Sequence, residues 1–402
     1  PKNMLTAMHK SLDELAERVG DIDQFVADQL GYSLAEVQKG DLFSAEQVDA
    51  LALAIDNING GGAFIIGDQT GVGKGRAVAA MIKYALNNNR LPIFITNGAA
   101  LYKDMVRDMR DIGMGDSVSR IYATNNDLTG KDVLQLSEED TSDVMRSLPP
   151  AAQARALAHI RSTGRAPVGF DIIFTNYSQL QYTKGLANPR MTALAEAAPG
   201  SIIIMDESHE AVGSENQKID KETGEPVPTR SDYIKSILAE AQGVFYSSAT
   251  YAKNPHAMSL YARTDMVNAV DSVEGLASAI AAGGVPLQQV VANMLVEAGQ
   301  YVRRERSFDG IPFAVDPVEI DNEVATVAAS GLRSIFSLDV DFLEPVREAW
   351  IEDHQSEGGG AGNDAAIGGT SADSVGFANI MHNIVNQMLL SLKAEAVADR
   401  AI

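Results

Sequence analysis

Short apolar runs and helical patterns alternate along the chain from about residue 61. After the first two runs, the spacing of apolar residues predicts helices at 75–87 and 99–111. Such alternation is typical of an α/β protein, in which a parallel sheet is covered by helices on both faces. The runs with the length of buried strands are residues 63–66, 92–96, 119–123, 170–175, 201–205 and 243–247.

The amino-terminal 60 residues have helical patterns. Apolar residues recur every three or four positions over 4–30, which predicts an amphipathic helical arm. Such an arm either packs on the core or binds a partner. A second helix is predicted at 44–58, where Ser44 fits the N-cap and Gln47 fits its partner in a capping box.

The pattern after residue 265 is mainly helical. A glycine-rich stretch at 358–369 is typical of a flexible linker. The chain therefore divides into a helical region (1–60), an α/β domain (61–265) and a helical extension (266–402). The predicted helices of the extension are 273–303, with a break near 283–284, then 323–336, 342–354 and 375–402.

Two polar segments interrupt the α/β alternation. Residues 126–166 are helix-capable over 142–160 and are predicted to be an insertion. Residues 213–229 are rich in Lys, Glu, Gly and Pro, which predicts a mobile loop near the strand at 201–205.

A glycine-rich segment, residues 67–76, lies between the first strand and the next helix. Gly71 and Gly73 let backbone N–H groups turn toward an anionic phosphate, and Lys74 supplies a charge for β- and γ-phosphates. The segment departs from G-x-x-x-x-G-K-[ST] at Asp68 and Gly75, and Gly75 leaves a bound Mg²⁺ short of one protein oxygen, which water must replace. The implied ligand is ATP or GTP. The nucleotide-binding candidates in the loop are Thr70, Gly71, Val72, Gly73, Lys74, Gly75 and Arg76.

Carboxylates follow the predicted strand at 201–205. At the tip of a parallel strand beside a phosphate loop, Asp206 fits a ligand of Mg²⁺ and Glu207 fits the group that polarises the attacking water. The alternative is that both acids only cap a following helix.

Small hydroxyl residues follow the strand at 243–247. Ser248, Ala249 and Thr250 come after the acidic strand in chain order, so short hydroxyls here can hydrogen-bond the acidic segment and report the state of the nucleotide. By themselves, three small residues after a strand are also an ordinary turn.

Taken together, the loop at 71–76, the box at 206–209 and the triplet at 248–250 resemble the strawberry-notch family of superfamily 2 helicase-like ATPases, in its bacterial, plasmid or phage branch. The resemblance covers roughly residues 40–320 and implies a RecA-like P-loop NTPase domain that uses ATP and Mg²⁺. Three further segments agree with the family, namely residues 108–113, 173–180 and 306–313.

The resemblance also assigns roles outside the three motifs. Gln47 would read the adenine edge, Phe43 would stack on the base or lie in the core, and His209 would couple the nucleotide to a neighbouring domain. Arginine fingers would come from a second RecA-like domain, so we expect this chain alone to hydrolyse ATP poorly. The candidate nucleic-acid contacts are Asn97, Lys103 and Tyr177, and the basic cluster Arg303, Arg304 and Arg306 is a solvated face, a nucleic-acid contact or a finger.

The net charge argues against a uniformly basic nucleic-acid surface. The 402 residues carry 54 acids and 32 bases, a formal charge of −22, whereas binding to nucleic acid depends on phosphate neutralisation. The motifs predict a motor on DNA, more than on RNA, with a local basic groove. The charge leaves open a nucleotide-gated module that binds protein partners through an acidic surface. A phosphate-loop kinase is disfavoured because the triplet at 248–250 would then have no purpose.

Composition limits the environment. The chain has no cysteine, which excludes disulfides and thiolate metal sites. It has no apolar run of about 18 residues and no signal-like start, so we expect a cytoplasmic protein of a bacterial host cell without membrane contact.

Overall fold

A computed structural model describes most of the first 305 residues and short stretches beyond them. It forms two compact units, Pro1–Ser307 and Phe308–Ile402. The described residues are 4–69, 71–182, 186–212, 227–249, 255–266, 273–305, 322–338, 385–391, 393–394 and 397–400. None of the helices within these ranges combines the length and the apolarity that crossing a bilayer requires.

The core of the first unit is a parallel β-sheet. The strands are β1 (Ala63–Ile66), β2 (Leu91–Thr96), β3 (Ile121–Ala123), β4 (Leu134–Gln135), β5 (Val144–Met145), β6 (Ile172–Asn176), β7 (Ser201–Asp206), β8 (Gly243–Ser247) and β9 (Tyr301–Val302). Within the described residues seven of them form one sheet in the order β3-β6-β2-β7-β8-β1-β9, and β4 and β5 form a separate antiparallel pair. All six strands predicted from apolar runs are confirmed, with ends within two residues.

Helices cover both faces of this sheet. Alternate residues of β1 show the division, since Phe64 and Ile66 lie in one buried cluster and Ala63 and Ile65 in the other. Burying a side chain of this size contributes about 1.5–3 kcal/mol, which fixes which way each strand faces. The helices contributing to the first cluster are α1 (Leu5–Val19), α2 (Ile22–Leu30), α3 (Leu34–Gln38), α4 (Ala45–Asn59), α5 (Lys74–Asn87) and α6 (Leu101–Asp111). The helices contributing to the second are α7 (Pro150–Thr163), α8 (Pro189–Ala197), α9 (Arg230–Glu240) and α10 (Val273–Glu297).

The amino-terminal arm belongs to this core. Leu15, Val26 and Leu30 are fully buried in the first cluster, so the arm packs on the domain, as one of its two interpretations predicted. The predicted capping box of α4 is confirmed. The Ser44 hydroxyl accepts from the Gln47 amide nitrogen, and the Gln47 side chain accepts from the Ser44 amide nitrogen.

The insertion at 126–166 contains the short β4–β5 pair and then α7, which begins at Pro150. The helix predicted over 142–160 is confirmed from Pro150 onward and is wrong before it, where β5 lies. Proline is favoured in the first turn because the missing N–H has no helical acceptor there. Of the predicted mobile loop, residues 213–226 lie outside the described residues.

The sheet continues beyond the predicted boundary at residue 265. The backbone of α10 is non-helical at Gly284, close to the predicted break, and the helix ends at Glu297. Gly299 then adopts φ +68°, and β9 pairs with β1 at the edge of the sheet. The predicted helix 273–303 is therefore shorter at its end, because the chain turns back into the sheet.

Less of the second unit is described. Its helix α11 (Asn322–Leu338) confirms the one predicted at 323–336. Residues 385–391 and 397–400 are helical, within the predicted helix at 375–402. The predicted helix at 342–354 and the glycine-rich stretch at 358–369 lie outside the described residues.

Candidate nucleotide-binding site

A cleft of about 610 Å³ opens where the phosphate loop meets the acidic strand. It brings together residues from the β1–α5 loop, from α6 and from the end of β7, and the loop and the end of β7 are more than a hundred positions apart in the sequence. In α/β sheets, ligands bind at the carboxyl ends of the strands, where this cleft lies. Its lining includes Gln47, residues 71–76, Asp108, Asp206 and Glu207.

The backbone of the phosphate loop requires glycine at two places. Gly71 and Gly73 have φ of +89° and +93°, a region that other residues adopt only with strain. Gly73 is the N-cap of α5, so the first N–H groups of that helix, which have no helical acceptor, are left for a ligand beside Lys74. Thr70 lies outside the described residues.

Gln47 holds the phosphate loop. Its Nε2 donates to the carbonyl of Gly73 at 2.7 Å while its Oε1 accepts from the Ser44 amide at 2.8 Å. A Cβ at position 73 would lie 2.4 Å from that nitrogen, so any larger residue there would displace the Gln47 side chain from the loop. The capping role and the contact with the loop are thus observed, and recognition of adenine by Gln47 stays a prediction.

Phe43 lies in the core and not at the cleft surface. Its ring is fully buried and contacts Tyr32 edge to face, with the ring centres 6.1 Å apart. The prediction that Phe43 stacks on the base is not supported, because no face of the ring is open. Core burial, the other possibility for this residue, is what the structure shows.

Asp68 explains the first departure from the phosphate-loop pattern. It is completely buried, and it accepts from Arg304 Nε at 3.0 and 2.9 Å, from Arg304 Nη2, and from the Arg304 backbone N–H at 2.8 Å. The guanidinium also donates to the carbonyl of Glu46, and the Gln69 N–H donates to the carbonyl of Arg304 at 3.0 Å. The aspartate therefore ties the loop to the segment after β9, and Arg304 ties that segment to α4. The interpretations of Arg304 as a finger or a nucleic-acid contact are corrected, because its side chain is committed to Asp68.

Removing the ion pair between Asp68 and Arg304 should lower the free energy of unfolding. We expect Arg304→Ala to lower the free energy of unfolding by about 3–5 kcal/mol, because it leaves a buried carboxylate without its partner. Urea denaturation measures the change. Arg303→Ala is the matched control, since Arg303 is exposed and pairs with exposed Glu305 at 2.7 Å, and it should change stability by less than about 1 kcal/mol. Equal losses in the two variants would contradict the role of the buried pair.

Asp206 lies at the end of β7 with its carboxylate mostly buried. The Ser247 hydroxyl donates to its Oδ1 at 3.0 Å, and the Thr96 hydroxyl lies 3.4 Å from its Oδ2. Burial raises the pKa of this carboxyl, and the hydrogen bond from Ser247 opposes that rise. Ser247 was not singled out from the sequence. Its signal is its position, because the last residue of β8 pairs in register with Asp206.

Tyr177 is hydrogen-bonded to the end of the acidic strand β7. Its hydroxyl donates to the backbone carbonyl of Asp206 at 2.8 Å, and its side chain is 1% exposed. Burial raises the pKa of the phenol well above its usual value. The prediction that Tyr177 contacts nucleic acid is therefore corrected, since the ring is packed inside the domain.

Glu207 turns the chain sharply after Asp206. Its backbone adopts φ +47° and ψ +47°, which is uncommon for a residue other than glycine, and its side chain lines the cleft. Strained backbone of this kind persists where the surrounding structure enforces it, and it is frequent at functional sites. This backbone conformation places the Glu207 carboxylate next to Asp206, and the Glu207 side chain is partly exposed to solvent.

The end of β8 is hydrogen-bonded to the acidic segment. His209 Nδ1 lies 2.8 Å from the Ser248 hydroxyl and 3.4 Å from Glu207, and its Nε2 lies 3.2 Å from Glu210. Because β8 lies between β1 and β7, its end is joined to both neighbours: the Ser248 backbone N–H donates to the carbonyl of Ile66 in β1 at 3.1 Å, and the Ser247 hydroxyl donates to Asp206 in β7. The predicted hydrogen bond between the triplet and the acidic segment is observed for Ser248, whose partner is His209, whereas the bond to the Asp206 carboxylate comes from Ser247. A role of Ser248, Ala249 and His209 in coupling stays a prediction, and Thr250 lies outside the described residues.

Residues 26–328 match the family described as P-loop containing NTP hydrolase pore-1. The chain belongs to this family. It is 28% identical over 269 residues to Protein strawberry notch homolog 1 of Gallus gallus, covering 65% of this chain and 19% of that protein. It is 25% identical to Protein strawberry notch of Drosophila melanogaster, covering 72% of this chain and 15% of that protein. The chain thus spans less than a fifth of the length of these relatives.

Solved structures give a weaker likeness. The Sulfolobus solfataricus SWI2/SNF2 ATPase core in complex with dsDNA aligns with a TM-score of 0.41 and 14% identity, covering 74% of this chain and 53% of that chain. The similarity to strawberry-notch proteins that the motifs indicated is confirmed by the curated relatives.

The remaining candidate residues are spread over the surface of this NTP hydrolase. Arg76 donates to the carbonyls of Asp41 and Leu42 at 3.0 and 3.2 Å, so it braces the segment before α4 while lining the cleft. Lys103 pairs with Glu138 at 3.1 Å, and Asn97 is exposed directly after β2. Arg306 lies outside the described residues.

Proposed function

We propose that this chain is the ATP-binding first motor domain of a superfamily 2 helicase-like ATPase that couples ATP hydrolysis to translocation on DNA or to its remodelling. The observation that carries the proposal is one cleft in which Lys74, Asp206 and Glu207 converge from neighbouring elements. A bacterial, plasmid or phage origin is part of the same proposal, and it rests on the motif resemblance.

Each group in the cleft has a chemical task. Lys74 and the amino-terminal end of α5 bind the β- and γ-phosphates, because both present positive charge to an anion. Glu207 orients the attacking water and accepts its proton, for which its partly exposed carboxylate is suited. The network of Ser247, Ser248 and His209 links these groups to the end of β8 and conveys the state of the phosphate site.

Asp206 is the residue that would hold Mg²⁺. A bound Mg²⁺ would neutralise negative charge on the phosphate groups of the nucleotide. Among the described residues, no group of three His, Cys, Asp or Glu side chains is close enough to hold a metal ion. The donor set fits Mg²⁺ on nucleotide, because that ion takes one or two carboxylates and completes its shell with phosphate oxygens and water.

A second function remains a candidate because of the charge. At a formal −22, the chain repels a polyanion unless a local groove overcomes the repulsion. A nucleotide-gated module that binds proteins through its acidic surface would agree with that charge and with the same cleft.

Salt-dependent DNA binding separates the two functions. We expect a motor to bind single-stranded DNA with an affinity that falls as salt rises, with a slope of about −0.7 per neutralised phosphate in a plot of log K against log salt. Fluorescence anisotropy with a labelled oligonucleotide measures it. Lys103→Ala should reduce the slope by about 0.7, since it removes one cation of the proposed groove, whereas Lys235→Ala, on α9, should not. Absence of binding even at low salt would favour the protein-interaction module.

A further inference from the structure

The second departure from the phosphate-loop pattern is Gly75. In the full pattern a serine or threonine at this place gives its hydroxyl to Mg²⁺. Here the space that such a side chain would fill is occupied. A Cβ on residue 75 would lie 1.8 Å from Asp108 Oδ2 and 2.9 Å from Asp108 Cγ. A carboxylate from another helix therefore takes the place of the missing hydroxyl.

Asp108 is fixed in this position by its own helix and by its neighbour. It lies near the end of α6, and its side chain is only 14% exposed. Arg107 donates from Nε and Nη2 to Oδ1 at 3.3 and 3.1 Å. Both of these bonds go to Oδ1, so Oδ2 is the oxygen that faces Gly75 and the cleft.

The alternative is that Asp108 only packs against the loop. Packing would not require a charged group here, and a buried carboxylate is costly unless a cation or a donor compensates it. Arg107 compensates one oxygen. The other oxygen points to the side of the loop where the hydroxyl ligand of Mg²⁺ belongs, in the same cleft as Lys74 and Asp206.

We infer that Asp108 supplies to the nucleotide-bound divalent cation the protein oxygen that residue 75 lacks. This inference rests on the proposed function, since it presupposes that the cleft binds ATP. The phosphate loop and its metal-ligand oxygen are then encoded on two different helices, α5 and α6. On this inference Asp108 supplies the ligand that the sequence analysis expected water to supply.

Calorimetric titration of the 402-residue chain with ATP, once with Mg²⁺ and once with EDTA, tests this role. Wild type should bind ATP more tightly with Mg²⁺. With Mg²⁺, the Kd of Asp108→Asn for ATP should be at least about 10-fold higher than that of wild type. With EDTA, its affinity should equal that of wild type or exceed it, because one negative charge is gone. Replacing Mg²⁺ by Mn²⁺ allows bound metal to be counted by electron paramagnetic resonance in the presence of ATP.

Asp143→Asn is the matched control. Asp143 is 24% exposed and pairs with Arg110 of α6 at 2.7 Å, as Asp108 pairs with Arg107, but it does not line the cleft. The substitution removes the same charge and should keep the wild-type gain from Mg²⁺.

A compensating substitution makes the test independent of charge. Gly75→Ser alone should bind ATP poorly, because its side chain meets the Asp108 carboxylate. In the double variant Gly75→Ser/Asp108→Ala, the serine has room for its hydroxyl. Asp108→Ala alone should lose the increase in ATP affinity that Mg²⁺ causes, and the double variant should recover it.

Three results would overturn the inference. If Asp108→Asn keeps the full gain from Mg²⁺, Asp108 is not a ligand. If it loses ATP affinity equally with Mg²⁺ and with EDTA, Asp108 shapes the loop and does not act on the metal. If wild type itself binds no ATP in either condition, the proposed function fails, and the inference fails with it.

Discussion

Lys74→Ala is expected to abolish measurable ATP binding while the fold stays intact. The ammonium group is the cation that the loop presents to the β- and γ-phosphates at the start of α5. Charge-assisted hydrogen bonds contribute about 1.5–3 kcal/mol each, so the loss of two of them weakens binding by roughly 100-fold or more. Isothermal titration calorimetry measures the affinity, and circular dichroism checks the fold.

Lys235→Ala serves as the control for this variant. Lys235 lies on α9, is partly buried like Lys74, and pairs with Asp232 at 3.4 Å. It should bind ATP as wild type does. Unchanged affinity in Lys74→Ala would mean that the nucleotide lies elsewhere.

Glu207→Gln is expected to keep ATP binding and to lose turnover. The substitution preserves size and removes the proton acceptor, and a positioned general base contributes about 10²–10⁴ to a rate. Since arginines of a second RecA-like domain are expected to complete the site, turnover should be measured in a chain that continues through such a domain. A coupled ATPase assay gives the rate, and calorimetry gives the affinity.

Glu240→Gln makes the same chemical change on the exposed end of α9 and should leave turnover unaltered. If Glu207→Gln turned over ATP at the wild-type rate, Glu207 would not be the base. Asp206 would then be the residue to test.

The strands and the local motifs were accessible from the sequence because their signals are local. Buried parallel strands are continuous apolar runs, so β7 could be placed to within one residue. The capping box of Ser44 and Gln47 follows from spacing alone, and the glycines at 71 and 73 follow from the backbone that a phosphate loop needs.

The contacts between distant segments were not accessible. The strand β9 has only two residues, too few for a periodic signal, and its place at the edge of the sheet depends on pairing with β1. Nothing local reveals that Asp68 meets Arg304 or that Asp108 fills the space beside Gly75.

Burial of aromatic residues at the site was the other difficulty. Phe43 and Tyr177 lie near the motifs in sequence, and an aromatic ring beside a binding motif is equally compatible with stacking and with packing. Only the tertiary structure decides, because burial depends on helices and strands far away in sequence.

The tie between Asp68 and Arg304 joins residues that are 236 positions apart. Synthesis proceeds from the amino terminus at about 5–20 residues per second, so the loop leaves the ribosome roughly 10–50 s before its arginine does. During that interval the nascent chain carries the whole nucleotide motif with the Asp68 carboxylate still in water. A fragment cleaved before residue 304 would likewise contain every signature residue of the loop and lack the contact that fixes it, so detecting the motif in a shorter product does not establish a formed nucleotide site.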